Sequence, residues 1–279
     1  MRPSSPARSE PPSEISTFRL RRRTPGTFVL IPCPRIARSI RCQGQLEAAA
    51  ATILAACPLL ITIQEQPLQI WFDRDATLNG LDIPLSTEQP AASLRRRHTY
   101  SYIVPDFLIE LRGGQKRLIE VKPSSKLSRP KVQHKLAVGR KYAVQQGWTF
   151  HVLTERELFA GPLLENLRVL GRFRHLAVDP RVLAAIEEEV CQQPILLSGL
   201  FALLETLAAA PQVRAAVLHL ATVGRLDFDP RIALISDQLL LFPRGTILWD
   251  PFDSPWGPSG SSTDVPTASS ASSPPINSS

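Results

Sequence analysis

Apolar and polar positions change period several times along the chain, and each change marks an element. From Gln45 to Ala56 the sequence is rich in Ala and Leu and lacks Gly and Pro, which predicts a helix. Leu46, Ala50, Ile53, Leu54 and Cys57 recur on it as one apolar stripe. Leu59 to Ile63 and Leu68 to Phe72 are short apolar runs around Gln64-Glu65-Gln66-Pro67, and they read as two strands. Asp73 to Leu94 is polar, carries turn formers and reads as a loop. Two β-prone runs, Tyr102 to Leu111 and Arg117 to Val121, flank Gly113-Gly114 and predict a hairpin. Pro130 opens a helix that runs to about Gln146. Val132, Leu136, Gly139 and Ala143 form its predicted core face; Lys131, His134, Lys135, Val138 and Lys141 form another, largely basic face. Gly147 ends that helix, Trp148 to Leu153 follows as a strand, and Asn166 to Leu176 reads as a further basic helix.

From Asp179 the pattern is different. Asp179-Pro180 starts a helix through Val190, Ser198 caps a second through Ala209, and Pro211 opens a third that stops at Gly224. Leu226 to Phe228 and Leu239 to Phe242 are then short apolar runs. Three helices followed by a small hairpin make a winged-helix-like pattern. The ends of the chain are rich in Pro and Ser. The expected organisation is a basic, disordered leader (1–39), an α/β domain (40–178), a winged-helix-like module (179–243) and a disordered Ser/Pro-rich tail (244–279).

Charge refines this picture. The whole chain carries a net +7 over 279 residues, which suits a polyanionic partner. Residues 179–243 hold four basic against eight acidic side chains, a net −4, and 244–279 add −2, so the first 178 residues carry +13. A nucleic acid is therefore expected on the first two-thirds. The third helix of the C-terminal module offers only Arg214 and His219, which favours docking on a protein over reading DNA. Arg19 to Arg23, continued by Arg35, Arg38 and Arg41, read equally as a solvated arm or as phosphate contacts. The cysteines Cys33, Cys42, Cys57 and Cys191 show no CxxC spacing, so neither a zinc site nor a disulfide framework is indicated. The longest apolar stretch is broken at Cys57-Pro58 and is not a membrane span; a cytoplasmic setting is expected.

The candidate chemistry lies on the central hairpin. Asp106 precedes one strand, Glu120-Val121-Lys122 ends the other, and antiparallel pairing brings the two together. Glu120 and Lys122 share a strand face. Two carboxylates suit Mg²⁺, and a lysine beside them can orient water or neutralise a phosphate. This is the PD-(D/E)xK pattern of metal-dependent nucleases; a surface hairpin with a solvated Glu/Lys pair is the plainer alternative. Glu47, in the first turn of its helix, reads either as a dipole-favouring acid or as a site residue. Gln64 and Gln66 read as buried structural amides near the site. Arg95, Arg96 and Arg97, and Lys126, Lys131 and Lys135, are the candidate DNA contacts.

With these residues in place, the chain resembles TnsA, the endonuclease subunit of heteromeric cut-and-paste transposases. The resemblance rests on GQLEA, QEQP, HTYSYIVPDF, IEVKP, KYAVQQGW and TERELFAGPLLENLRVL, over roughly residues 40–176. It implies a restriction-endonuclease-like fold that uses Mg²⁺, with Mn²⁺ able to substitute. Asp106, Glu120 and the Val121 carbonyl would be metal ligands, Lys122 a water- or phosphate-orienting group, and Glu47 a fourth site residue. It also implies cutting of double-stranded DNA at the 5′ ends of a mobile element. A DDE-type transposase subunit would handle the 3′ ends, and an AAA+ ATPase regulator would dock on the C-terminal module. The competing expectations are a nuclease of the same fold in repair, restriction or junction resolution, and a non-catalytic DNA-binding assembly subunit.

Overall fold

The computed structural model describes residues 28–33, 36–74, 85–93, 99–231 and 236–252. Its centre is a four-stranded sheet of β3 (Leu60–Glu65), β6 (Phe107–Leu111), β7 (Lys116–Val121) and β8 (Thr149–Leu153), in that spatial order. β3, β6 and β7 run antiparallel, whereas β8 lies parallel to β7 and is reached through helix α2 (Pro130–Gln145). Side chains alternate cleanly between the two faces. Phe107, Ile109, Ile119 and Val121 enter one core, while Leu108 and Leu118 join another. Gly113 (φ 97°) and Gly114 (φ 80°) supply the left-handed backbone of the β6–β7 turn.

The first core is built on helix α1 (Gln45–Ala56). Its alanines bury more than the predicted stripe: Ala48 to Ala51 and Ile53 to Ala55 are all buried. The reason is a second cover. Strands β1 (Val29–Cys33) and β2 (Arg38–Cys42) form an antiparallel hairpin over α1. Val29–Cys33, which sequence placed in the disordered leader, is therefore a strand, and its Cys33 is a core residue. Arg19 to Arg23 and Arg35 lie outside the described residues.

The other face of the sheet is covered by α2 and by a two-stranded sheet of β4 (Ile70–Asp73) and β5 (Tyr100–Ile103). The predicted strand from Tyr102 to Leu111 is thus two strands belonging to different sheets, broken at Val104-Pro105-Asp106. Most of the predicted loop 73–94 lies outside the described residues. On α2 the faces also shift: Val138, Gly139, Tyr142 and Ala143 are buried, with Val132 and Leu136 only partly so. Val138 therefore belongs to the core and not to the basic face. An added Cβ on Gly139 would lie 2.7 Å from the Phe150 ring, so the missing side chain sets how closely α2 approaches β8.

After β8 come the short helix α3 (Glu155–Leu158) and α4 (Leu163–Gly171), which ends earlier than the predicted Leu176. α4 is apolar on two sides: Leu163 and Leu164 enter the first core, and Leu170 enters a third. That third core belongs to α5 (Pro180–Gln192), β9 (Ile195–Leu196), α6 (Leu197–Leu203), α7 (Ala210–Thr222), β10 (Leu226–Asp227) and β11 (Leu240–Pro243). Asp179 caps α5 by accepting the Arg181 N–H. Ser198 does not cap α6. It lies inside the helix, and its N–H donates to the Asp237 carbonyl. A third strand, β9, lengthens the expected hairpin into a sheet of order β10-β11-β9.

The chain then returns to the first core. Trp249, Asp250 and Phe252 are 5%, 8% and 8% exposed, although sequence placed them in the tail. Arg117 of β7 holds Asp250 through Nη1 (2.8 Å to Oδ1) and a second ion-pair contact through Nη2. Cys57 Sγ meets the Trp249 carbonyl at 3.5 Å, and Phe252 lies 4.2 Å from the His151 ring between centroids. Residues 253–279 lie outside the described residues. Among the described residues no helix is long and apolar enough to cross a membrane. Trp249→Ala should lower unfolding stability by about 3–5 kcal/mol, the usual cost of emptying a buried aromatic site. Urea denaturation measures it, and a change within 0.5 kcal/mol (~ the surface range) would show that the strap is peripheral.

Candidate active site

Three polar side chains converge where β6 begins and β7 ends. Asp106 occupies the bend after Pro105 and is fixed by three backbone contacts. Its N–H donates to the Ile119 carbonyl (3.1 Å), its carbonyl accepts the Gln66 N–H (2.9 Å), and its Oδ2 accepts the Val121 N–H (2.7 Å). Phe107 pairs with Ile119, so the next residues along, Asp106 and Glu120, stand opposite each other. Lys122 lies just past β7, with its N–H on the Leu153 carbonyl (2.9 Å). Its ammonium lies 2.6 Å from Glu120 Oε1 and 3.5 Å from Asp106 Oδ2, and it donates to the Val121 carbonyl at 3.1 Å. The expected cluster of Asp106, Glu120, Lys122 and the Val121 carbonyl is therefore assembled.

Glu47 is drawn in less closely. Its Oε2 accepts the Gln43 N–H at 2.7 Å, an N-terminal contact of its own helix. It nevertheless lies within electrostatic reach of Asp106 and Lys122. Both readings of this residue survive: it serves the first turn of α1, and it faces the cluster.

The charges are costly to hold together. Burial first, and then Asp106, push the Glu120 carboxyl up to about 7 against the pull of Lys122. Burial likewise raises Asp106, with Lys122 and the Val121 N–H opposing it. Glu47 is raised by burial and by Asp106. For Lys122 burial acts downward, but the two carboxylates outweigh it and raise the ammonium. The Cys42 thiol beneath them is pushed up to about 12 by burial and by Glu47, Glu65 and Asp106. Were all three carboxyls ionised, they would outnumber the one ammonium by two charges, an excess that a divalent cation would balance and that burial otherwise relieves by protonation. The donor set fits such an ion: two carboxylates and a main-chain oxygen, all hard oxygen ligands. Among the described residues no three His, Cys, Asp or Glu side chains form a ready metal cage, so the remaining ligands would be water or substrate, as suits Mg²⁺.

The other sequence candidates fare differently. Lys126, Lys131 and Lys135 are exposed at the start of the α2 side, and the charge of Lys135 is felt at Glu120. Arg95, Arg96 and Arg97 lie outside the described residues. Gln64 is exposed and Gln66 only half-buried, so neither is a buried structural amide. The backbone N–H of Gln66, not its side chain, reaches Asp106. Sequence reasoning passed over Glu65 and took Arg38 only as part of a solvated arm or a phosphate contact. Glu65 is 7% exposed, and Arg38 Nη1 donates to its Oε1 at 2.9 Å. An acid inside an otherwise β-prone run was the available signal.

A mixed α/β domain with an Asp–Glu–Lys cluster at the mouth of its central hairpin has the build of an endonuclease domain. Residues 57–155 match the family model described as TnsA-like endonuclease N terminal, so this segment is similar to that domain, which supports the resemblance to a TnsA-type subunit. That family implies a restriction-endonuclease-like fold here. The matched segment contains Asp106, Glu120 and Lys122 and begins after Glu47. No curated protein matches the chain.

The raised Glu120 carboxyl sets a pH dependence. Between the ordinary carboxyl value of 4.5 and about 7 the folded chain holds a proton that the unfolded chain has released. That contribution to stability is therefore present below 4.5 and lost as pH rises through about 7. In chelator-containing buffer, urea midpoints of the wild type should fall relative to Glu120→Gln over this window. Parallel profiles would mean that Glu120 is solvated.

Proposed function

We propose that the chain is a Mg²⁺-dependent DNA endonuclease subunit of a heteromeric transposase, cutting the non-transferred strand at the 5′ ends of a mobile element. The observation that carries this reading is the buried cluster of Asp106, Glu120 and Lys122, with Glu47 within electrostatic reach of it. Asp106, Glu120 and the Val121 carbonyl would hold the ion, and Glu47 would complete the shell or orient water. A bound Mg²⁺ supplies Lewis acidity at the scissile phosphate and lowers the pKa of water. Lys122, already among the carboxylates, is placed to orient the attacking water or to meet charge on the phosphate. Lys126, Lys131 and Lys135, together with Arg95, Arg96 and Arg97, are the proposed phosphate contacts.

The C-terminal module is read as a winged-helix-like docking surface for a regulatory ATPase, with a DDE-type transposase completing the assembly. Two observations support docking over DNA reading. The module is acidic, and its third helix, α7, has little free surface. Thr222 Oγ1 donates to the Leu170 carbonyl (2.8 Å), His219 Nδ1 lies 2.9 Å from the Phe173 carbonyl, and Arg214 is ion-paired with Asp237. A helix that lies in a major groove needs that face open.

Strand-specific cleavage mapping on transposon-end DNA, with and without the transposase subunit, tests the reading. Asp106→Asn keeps an acceptor for the Val121 N–H but removes the charge. It should cut cleavage by about a thousandfold or more while leaving DNA affinity within about twofold. Cleavage retained in this variant would remove Asp106 from the chemistry, and cutting of branched or unrelated duplexes without the transposase would favour a repair or restriction role. Replacing both Lys131 and Lys135 by Ala should weaken duplex binding about tenfold and lower the log–log salt slope by about two. An unchanged slope would show that α2 does not meet the backbone.

A further inference from the structure

Glu65 ends β3 opposite Phe107, one residue from Asp106. Its buried carboxylate has a single cationic partner among the described residues, Arg38 on β2. Arg38 Nη1 donates to Oε1 (2.9 Å), while Nη2 lies 2.7 Å from Oε2 and donates to the Ile63 carbonyl (2.8 Å). One guanidinium thus binds both the end of β3 and the acid on it. The next residue, Gln66, takes a left-handed backbone conformation (φ 47°), unusual for a residue with a side chain. From that bend its N–H donates to the Asp106 carbonyl. A strained bend persists only where its surroundings hold it, and the Arg38–Glu65 ion pair lies at the residue next to this one.

We propose that Arg38 and Glu65 are positioning residues for Asp106, acting through the Gln66 bend. This rests on the nuclease reading of the cluster. Neither side chain touches the carboxylates of the cluster. Their pairing fixes the backbone on one side of Asp106 while Ile119 and Val121 of β7 fix the other. Arg38 also ties the β1–β2 hairpin, outside the matched segment, to the site. From sequence Arg38 reads equally as part of a solvated arm or as a phosphate contact; the ion pair gives it a different task. Loosening the bend lets Asp106 drift relative to Glu120 and Lys122, and displacements near 1 Å are costly to a preorganised site.

The test uses the full chain and two independent readouts. Glu65→Ala, Arg38→Ala and the double variant remove the tie, and the double variant leaves no unpaired buried charge if Arg38→Ala alone fails to fold. Glu65→Gln and Arg38→Lys keep a hydrogen-bonding arm. Hydrogen exchange at the Gln66 and Val121 amides should quicken at least about tenfold in the Ala variants, with Ile109 on β6 unchanged. Cleavage of end-containing duplex with Mg²⁺ and the transposase should slow about tenfold at saturating DNA, with DNA affinity within about twofold and partial recovery in the conservative variants. Unchanged exchange at Gln66 and Val121 in the double variant, or turnover within about twofold of wild type, overturns the proposal. Weakened DNA binding at unchanged turnover also overturns it, by making Arg38 a phosphate contact. If the wild type never cleaves, the nuclease reading fails on its own, and the exchange pattern still decides the positioning role.

Discussion

The constraint on which the site depends is the burial of like charges. Asp106 and Glu120 stand opposite each other at the mouth of one hairpin, largely withdrawn from water, with Glu47 nearby. Lys122 neutralises one of these charges and not all of them. Burial shifts these carboxyls toward their protonated forms, which relieves part of the remainder, and two of them have backbone anchors as well. Asp106 is held by three backbone contacts, and Glu47 by the N-terminus of its own helix. Any cation bound here would have to displace Lys122 from these oxygens, since its ammonium already contacts Glu120, Asp106 and the Val121 carbonyl.

Rigidity around the hairpin comes from both cores. α1 and the strap from Trp249 to Phe252 cover one face of the central sheet, and α2 covers the other. α4 belongs to two cores at once, and the Asn166 side chain donates to the Pro230 carbonyl across them (2.9 Å). The C-terminal module is therefore joined to the endonuclease domain twice, through α4 before it and the strap after it. Arg117 places the second join on β7, the strand that also carries Glu120.

Much of the hairpin was legible because its signals are local. Gly113-Gly114, a β-prone run on each side and an acid at each strand end need only neighbouring residues to be interpreted, and antiparallel pairing does the rest. The basic face of α2 was legible for the same reason, except at Val138 and at His134, whose ring packs against Phe72 (5.3 Å between centroids), because period alone could not tell which way a residue between two faces would turn. The strand from Tyr102 to Leu111 was misjudged because Pro105 divides it between two sheets, and pairing partners 30 or more residues away decide that (β4 near Ile70, β3 near Glu65). Ser198 satisfied the composition of a cap, but β9 immediately before it carried the chain directly into α6.

What the amino-acid order determined by itself was the local grammar: the helices, the turn, the charge division between halves, and the Asp–Glu–Lys spacing that brings the site together. What only the folded chain decided was which distant segments cover these elements. The Val29–Cys33 strand and the Trp249–Phe252 strap looked like parts of solvated ends, since few apolar residues flank them, yet both entered the first core because α1 and β7 left apolar surface open there. The pairing of Arg38 with Glu65 is of the same kind. A lone arginine and a lone acid 27 residues apart carry no mutual signal until two strands bring them within 3 Å.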